Sequence, residues 1–301
     1  MTARYHLVGI PTALGGHLGG MERTPSELRS MGLVDRLRDV LDGDLVDDGD
    51  LRIDPGFQED PDPRTKNHDR IVEFLPRAAD LVAGALPSPD DRLVLVGGDC
   101  TGHAGAMAGI ARSWAAAGPV GICWFDAHGD FNVPETTPSG NVWGMPFAMI
   151  CGRGDPALVA AAAGPTAREE HAALLGGQIL DEQEARMLAA SRIAHFGAGM
   201  LGTDAGIAAL SGWATTVSSD ISAWYIAFDM DCLDESGDWS LQMPEPGGLS
   251  LEAADRAVRT IAGSGAPVVG FGATAVNLAH GDTSATLDGI VRLTGAAFRA
   301  A

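Results

Sequence analysis

The segment VGICWFDAHGD (residues 120–130) passes from an apolar run into a cluster of acidic and imidazole side chains. A short apolar run bounded by polar residues is typical of a strand buried on both faces of a parallel sheet. The segments RLVLVGGD (92–99) and WYIAFDMD (224–231) repeat this arrangement. Functional groups in parallel sheets lie beyond the carboxyl ends of the strands, so these segments predict both a fold and the place of its site.

Strand and helix patterns alternate along the rest of the chain. Further strands are predicted at YHLVGI (5–10), DLVDDGD (44–50), RIAHFGAG (192–199) and PVVGFGA (267–273). Helices are predicted from Thr24, where Thr-Pro opens a helix, and over residues 68–86, 101–114, 140–152, 251–262 and 284–298. The alternation indicates an α/β fold, a mostly parallel sheet with helices on both faces. We expect one domain over residues 1–301 and leave the Ala- and Gly-rich segment 151–182 unassigned.

The composition narrows the range of functions. The chain has 301 residues and a formal net charge of −20, which disfavours binding to nucleic acid and to anionic membranes. There is no long apolar run and no signal-peptide pattern at the start. The four cysteines form no CxxC pair, and Cys123 lies in an apolar run where a buried, inert thiol is expected. These features predict a cytoplasmic protein rather than a secreted or membrane protein.

The polar groups at the strand ends have a spacing that suggests one compact site. Asp126 and Asp130 would lie roughly 13 Å apart in an extended strand, so the chain must curl, which Gly129 permits. His128 would then join them. Asp229 and Asp231 end another strand with the same spacing of two.

Carboxylates packed this closely repel one another unless cations neutralise them. An oxygen-rich set with one imidazole suits Mn²⁺ better than Zn²⁺, and two metal ions can share bridging carboxylates. A single DxD is also typical of a solvated turn or a helix cap, and a lone His128 is more often structural. The joint occurrence of DAHGD and DMDCLD favours a metal site over these readings.

These motifs resemble the GGDH, DAHxD and SxDxDxxDP motifs of the ureohydrolase family of arginases, agmatinases and related amidinohydrolases. The resemblance covers most of the chain: RTPSELRSMGLVDRLRD (23–39), DDGDL (47–51) and PEPGGLS (244–250) also match family segments. It implies a three-layer fold with about eight strands. It also implies a homo-oligomer, a trimer or a hexamer, that acts on a small-molecule guanidino substrate.

The resemblance assigns roles to individual positions. It implies that two Mn²⁺ ions are bridged by the catalytic residues Asp126 and Asp229. Cys100 and Asp130 would complete the coordination of one ion, and His128 and Asp231 would complete that of the other. Asp130 would also donate a proton to the departing amine. Residues that orient the ligands or loops would be Asp99 and Asp234, and residues that bind a substrate α-carboxylate would be Asn132, Thr137 and Ser139.

The first departure from the family pattern is Cys100, at a position that is usually His. A soft thiolate is a poor match for hard Mn²⁺. Either one metal binds weakly, or a different metal binds, or Cys100 is not a ligand. His103, one helical turn later, is the alternative ligand.

Two further departures concern the substrate. Trp143 stands where arginases carry a proton-shuttling His, and it can stack on a guanidinium group or pack as core. Ala275 stands near the position where the family carries a Glu that binds the guanidinium. Glu135 or Glu245 could supply that carboxylate, and His280 could supply a base.

The sequence therefore predicts a manganese-dependent hydrolase of a guanidino C–N bond that releases urea or a substituted urea through a metal-bridging hydroxide. Its substrate would be arginine or a modified arginine such as N-hydroxyarginine. One alternative is a metal-dependent hydrolase of a formimino, amidine or amide group. The other is a degenerate family member that binds a ligand or a partner without turnover.

Overall fold

A computed structural model describes residues 3–53 and 64–299. Within these ranges, eight strands form one sheet, and all neighbouring strands are parallel. The strands are β1 (Ala3–Ile10), β2 (Gly43–Asp50), β3 (Asp91–Gly97), β4 (Val120–Asp126), β5 (Ala172–Gly176), β6 (Ala194–Gly197), β7 (Ala223–Asp229) and β8 (Val268–Thr274). Their order across the sheet is β2-β1-β3-β8-β7-β4-β5-β6.

Helices cover both faces of the sheet. They are α1 (Thr24–Ser30), α2 (Leu33–Val40), α3 (His68–Ala85), α4 (Thr101–Ser113), α5 (Pro146–Ile150), α6 (Pro156–Ala161), α7 (Glu182–Ala189), α8 (Ala198–Leu201), α9 (Asp204–Ser218), α10 (Leu251–Ala262) and α11 (Thr283–Phe298). Apolar residues of α1, α2 and α8 to α11 pack on one face, and those of α3 to α7 pack on the other. The three-layer α/β prediction is confirmed.

The central strands are apolar on both sides because each side meets a helical layer. Every residue of β4 is buried, and successive side chains point to opposite faces. Trp124 stacks on Phe147 with ring centroids 5.2 Å apart, while Phe125 stacks on Phe228 at 4.9 Å on the other face. These aromatic pairs hold β4, and with it the residues that follow it, in a fixed position.

Three local predictions need correction. The unassigned segment 151–182 contains β5, whose short AALLG run has too few residues to show a period. The helix α9 was not predicted, because its Gly, Ser and Thr residues obscure the helical pattern. The helix predicted over 140–152 shrinks to α5, since Pro146 occupies its first turn and a separate 3₁₀ turn precedes it.

In the described part of the chain, no helix combines the length and the apolarity needed to cross a bilayer.

The carboxyl ends of β3, β8, β7 and β4 lie side by side at the middle of the sheet. Gly98, directly after β3, links two of its neighbours there. Its N–H donates to the carbonyl of Ile10 (3.0 Å), and its carbonyl accepts from the N–H of Ala275 (2.8 Å). A Cβ on Gly98 would lie 1.8 Å from the carbonyl oxygen of Thr12, so only glycine allows this close approach.

We predict opposite effects of two Gly→Ala substitutions on stability. Gly98→Ala must displace backbone and should lower the free energy of unfolding by about 1–3 kcal/mol. Gly84→Ala, in α3 with no atom within 4 Å of the added Cβ, should raise it by about 0.5–1 kcal/mol. Urea unfolding of both variants measures the difference, and equal midpoints would contradict this account of Gly98.

Candidate functional site

Asp126, the last residue of β4, is 1% exposed and has a fixed orientation. One carboxylate oxygen accepts from the indole N–H of Trp124 (2.9 Å), and the other accepts from the backbone N–H of His128 (2.8 Å). The carboxylate is therefore held by a core side chain from below and by the loop that follows the strand.

Asp229, the last residue of β7, lies next to Asp126 because Phe125 pairs with Phe228 in the sheet register. Its Oδ1 accepts from the N–H of Asp231 (3.1 Å). Its Oδ2 accepts from the thiol of Cys100 (2.7 Å), which stands just after β3. Side chains from three strand ends thus meet at one point.

Carboxylates lie close to both ring nitrogens of His128 and so orient its ring. Its Nδ1 lies 3.3 Å from Asp126 Oδ1 and 3.2 Å from Asp231 Oδ2. Its Nε2 lies 3.4 Å from Glu245 Oε1. Nδ1 therefore faces the acidic cluster. Nε2 faces the loop that contains Glu245, which is distant from His128 in the sequence.

The curl that brings Asp130 back to Asp126 occurs at Asp130 itself, which has φ of 46°, rather than at Gly129 as predicted. Gly129 is needed for space, because a Cβ there would lie 2.5 Å from the carboxyl carbon of Glu184. Asp130 is buried, and its Oδ2 has no hydrogen-bond partner among the described residues. A buried, unpaired carboxylate oxygen is costly unless something outside the chain, such as a cation, binds it.

Two groups of side chains offer ligand atoms that all lie within 4.8 Å of one another. The first is Cys100, Asp126 and Asp130, and the second is Asp126, His128 and Asp231. Both groups contain Asp126. Their carboxylate oxygens and single imidazole suit a hard divalent cation, and only the thiol fits such an ion poorly. These residues could hold two neighbouring metal ions.

The charges of the cluster act on one another strongly. Burial raises the pKa of Asp130 well above its usual value, and the Asp126 and Asp229 charges add to this effect. Asp229 behaves likewise, through burial and then the charges of Asp231 and Asp126. Burial alone would lower the pKa of His128, but Asp231 and Asp126 outweigh it and raise that pKa. The site thus has more negative charge than its imidazole can balance.

Cys100 and His103 occupy very different surroundings. Burial, followed by the charges of Asp229 and Asp130, raises the pKa of the Cys100 thiol well above its usual value. The ring nitrogens of His103 are already bonded, Nδ1 with the Tyr225 hydroxyl (2.7 Å) and Nε2 with the Thr274 hydroxyl (2.9 Å).

Burial lowers the pKa of His103 to about 3, so this imidazole is neutral. With both ring nitrogens bonded in the core, His103 has no lone pair directed at the cluster. The alternative in which it replaces Cys100 as a ligand finds no support in this arrangement.

Asp99 and Asp234 hold loops at the edge of the site. The Oδ2 of Asp99 accepts from the N–H of Gly15 (2.7 Å), which ties the loop after β1 to the end of β3. Asp234 accepts from the N–H of Gly247 (2.8 Å), which ties down the loop that bears Glu245. Neither residue belongs to the two metal-competent groups, and their orienting role stays a prediction.

The acidic cluster lies at the floor of a cavity of about 520 Å³. Six residues proposed from the sequence as substrate contacts, or as departures from the family pattern, line it: Asn132, Thr137, Ser139, Trp143, Glu245 and Ala275. Glu135 and His280 are exposed and are not among the lining residues. Asn132 donates to Asp181 Oδ2 (3.0 Å).

The sequence prediction missed Asp181 and Glu184, which also line the cavity. They form a capping box at the start of α7, and this D-x-x-E pattern was the available signal. Glu184 Oε1 also accepts from the N–H of Phe131 (2.9 Å), which fixes the loop after Asp130. Burial raises the pKa of Glu184 to about 7.

Trp143 is half-buried and part of the cavity wall, and its indole lies close to Gly16. A Cβ on Gly16 would come within 2.1 Å of its ring, and the N–H of Trp143 donates to the carbonyl of Gly15 (2.8 Å). Trp143 thus packs on the loop after β1 and also borders the cavity, and its stacking on a guanidinium group stays a prediction.

Comparison with known proteins agrees with this geometry. A family model described as "Arginase family" matches residues 3–297. The arginase of Bacillus caldovelox is 30% identical over 259 residues, which is 85% of each chain. A solved structure of Bacillus caldovelox arginase has a TM-score of 0.89 and 27% identity, covering 99% of this chain and 98% of that one. The formimidoylglutamase of Bacillus subtilis shares the fold, with a TM-score of 0.74 and 18% identity over 98% and 86% of the two chains.

The family match over nearly the whole described chain and the likeness in sequence and structure to arginases lead to one assignment. The chain belongs to the arginase family, hydrolases that act on C–N bonds of guanidino and amidino groups.

Proposed function

We propose that this enzyme is a manganese-dependent amidinohydrolase that cleaves a guanidino C–N bond of arginine or of a modified arginine such as N-hydroxyarginine. The observation that supports this most is the pair of metal-competent groups that share Asp126 at the floor of the cavity. The products would be urea or a substituted urea and an amine.

The ligand roles follow from the two groups. Cys100 and Asp130 would hold one ion, His128 and Asp231 the other, and Asp126 would contact both. Asp229 is the second bridging candidate, since its Oδ2 lies 2.7 Å from the Cys100 sulfur. When bound, divalent cations neutralise these carboxylates and lower the pKa of water, which supplies a nucleophile near neutral pH.

The protein side chains would handle the leaving group. Water adds to the guanidino carbon, the bond to the substituted nitrogen breaks, and that nitrogen must gain a proton. Asp130 is the proposed donor, because its carboxyl group lines the cavity and would pass the proton given up by the attacking water to that nitrogen.

The rest of the cavity fits a guanidino amino acid. Glu245, whose Oε1 is 3.4 Å from His128 Nε2, is the proposed carboxylate for the guanidinium, in place of the side chain that Ala275 lacks. Asn132, Thr137 and Ser139 are the proposed contacts for an α-carboxylate, and all of them line the cavity. A cytoplasmic location and a homo-oligomeric state stay predictions.

The direct test is release of urea from arginine and agmatine, and of hydroxyurea from N-hydroxyarginine, by the Mn²⁺-equilibrated protein. Urea or hydroxyurea from an arginine-type substrate, lost in Asp229→Asn together with bound manganese, is the expected result. Release of ammonia or formamide from formimino compounds, with no urea, would favour the alternative hydrolase. No turnover of any of them and an unchanged phenotype in Asp229→Asn would favour the non-catalytic alternative.

We predict that Cys100→His raises the affinity for Mn²⁺ by about tenfold or more, since it replaces a buried thiol of raised pKa by a neutral nitrogen donor. Titration of metal-free protein with Mn²⁺, followed by elemental analysis, measures the change. Cys151→Ala, a cysteine that does not line the cavity, is the matched control and should bind Mn²⁺ like the unaltered protein. Equal affinity in both variants would remove Cys100 from the proposed ligand set.

We also predict a pH-dependent contribution of Glu184 to stability. Its pKa rises from 4.5 to about 7 on folding, so the folded protein binds the extra proton between these values. The stabilisation is fully present below pH 4.5 and is lost as the pH rises through about 7.

Glu184→Gln should therefore flatten the pH dependence of the unfolding free energy over this window, measured by urea unfolding of chelator-treated protein. Glu182→Gln, an exposed neighbour on α7, should leave that dependence unchanged. A slope in Glu184→Gln equal to that of the unaltered protein would show that another group titrates.

A further inference from the structure

Within the described residues, large apolar side chains are seldom exposed, and half of the exposed ones line one cavity. In residues 3–53 and 64–299 the exposed examples are Leu18, Met31, Val46, Ile179, Met200 and Met243. Leu18, Ile179 and Met243, which are 36%, 39% and 38% exposed, all line the cavity above the acidic cluster. We refer to these three residues as the apolar rim. Single exposed apolar residues are ordinary, but a cluster at a cavity marks a binding surface.

The apolar rim is supplied by three loops that are far apart in the sequence, and each loop is anchored near its rim residue. The loop with Leu18 is held by the bond from Gly15 N–H to Asp99 (2.7 Å). The N–H of Ile179 donates to the carbonyl of Ala127 (2.8 Å).

The third loop is anchored to the end of β8. The N–H of Gln242, the neighbour of Met243, donates to the carbonyl of Ala275 (3.1 Å). All three anchors end on the strand-end segments that form the floor. The apolar rim is therefore positioned in advance of binding, and little ordering is needed when a ligand contacts it.

Two more residues extend this apolar surface. Trp143 and Met21, which is buried, also line the cavity. A free amino acid has only charged groups at the end away from its guanidino group, and those groups gain nothing from apolar contacts. An apolar substituent would bury surface here, with a gain of about 0.8 kcal/mol per buried CH₂.

We propose that the apolar rim is a specificity subsite, and that the preferred substrate has an apolar group at the end distal to its guanidino group. The inference rests on the proposed function for the guanidino end only. Leu18, Ile179 and Met243 are specificity-determining residues, and the substrate class is an arginine-type guanidine extended by an alkyl or aryl group.

The occupant is a substrate group rather than a protein partner, because the same residues border the entrance to the acidic cluster. A protein seated on the rim would close the path by which any small molecule reaches Asp130 and His128. Continuity with the cavity thus distinguishes this patch from Met31, Val46 and Met200, which lie outside it.

The test is binding of n-alkylguanidines from propyl to heptyl, and of the matching n-alkylamines, to the Mn²⁺-equilibrated protein by calorimetry. We expect Kd to fall by about two- to fourfold per methylene beyond butyl in both series. In Met243→Ser and Leu18→Ser this gain should shrink to less than about twofold per methylene. Met200→Ser, equally exposed but outside the cavity, should keep the full dependence on chain length.

The outcomes separate the two proposals. Guanidines that bind with no dependence on chain length would overturn the subsite and leave the proposed function standing. A chain-length dependence in both series, lost in the rim variants, supports the subsite even if no guanidine is hydrolysed. An equal loss in Met200→Ser, or no binding that depends on chain length in either series, would overturn the subsite.

Discussion

The convergence of four buried carboxylates at one edge of the sheet is the constraint on which the rest of the structure depends. Asp126, Asp130, Asp229 and Asp231 are each at most 4% exposed, and one imidazole, His128, faces them. Like charges in such a place destabilise the fold unless cations or protons neutralise them. The residues that destabilise the fold in this way are also the residues at the floor of the cavity.

The two-sided sheet is what makes this convergence possible. Trp124 illustrates the connection: its ring stacks on Phe147 in the core, and its indole N–H bonds to Asp126 in the site. Asp229 is tied to the core in a similar way, since Thr274, whose hydroxyl is 3.4 Å from Asp229 Oδ2, also bonds to the buried His103. Packing in the core thus fixes the orientation of carboxylates that would otherwise repel one another and separate.

The structure shows what surrounds the three departures from the family pattern, Cys100, Trp143 and Ala275. Where Ala275 offers no carboxylate, the loop held by Asp234 brings Glu245 to within 3.4 Å of His128 Nε2. Trp143 contributes a flat apolar wall to the same cavity that contains the acidic floor. The proposed ligand, a guanidino group with an apolar extension, would contact both surfaces.

The sequence by itself determined most of the sheet and the residue types at its centre, because short apolar strands followed by DAHGD and DMDCLD give strong local signals. It also predicted the burial of Cys123, which the structure confirms. Only the tertiary structure decided that Asp130 makes the turn, that Asp181 and Glu184 face the cavity, and that Leu18, Ile179 and Met243 meet around it. Periodicity reports which face of an element is buried, but it carries no information on which distant loops become neighbours, and those loops set the shape and specificity of the cavity.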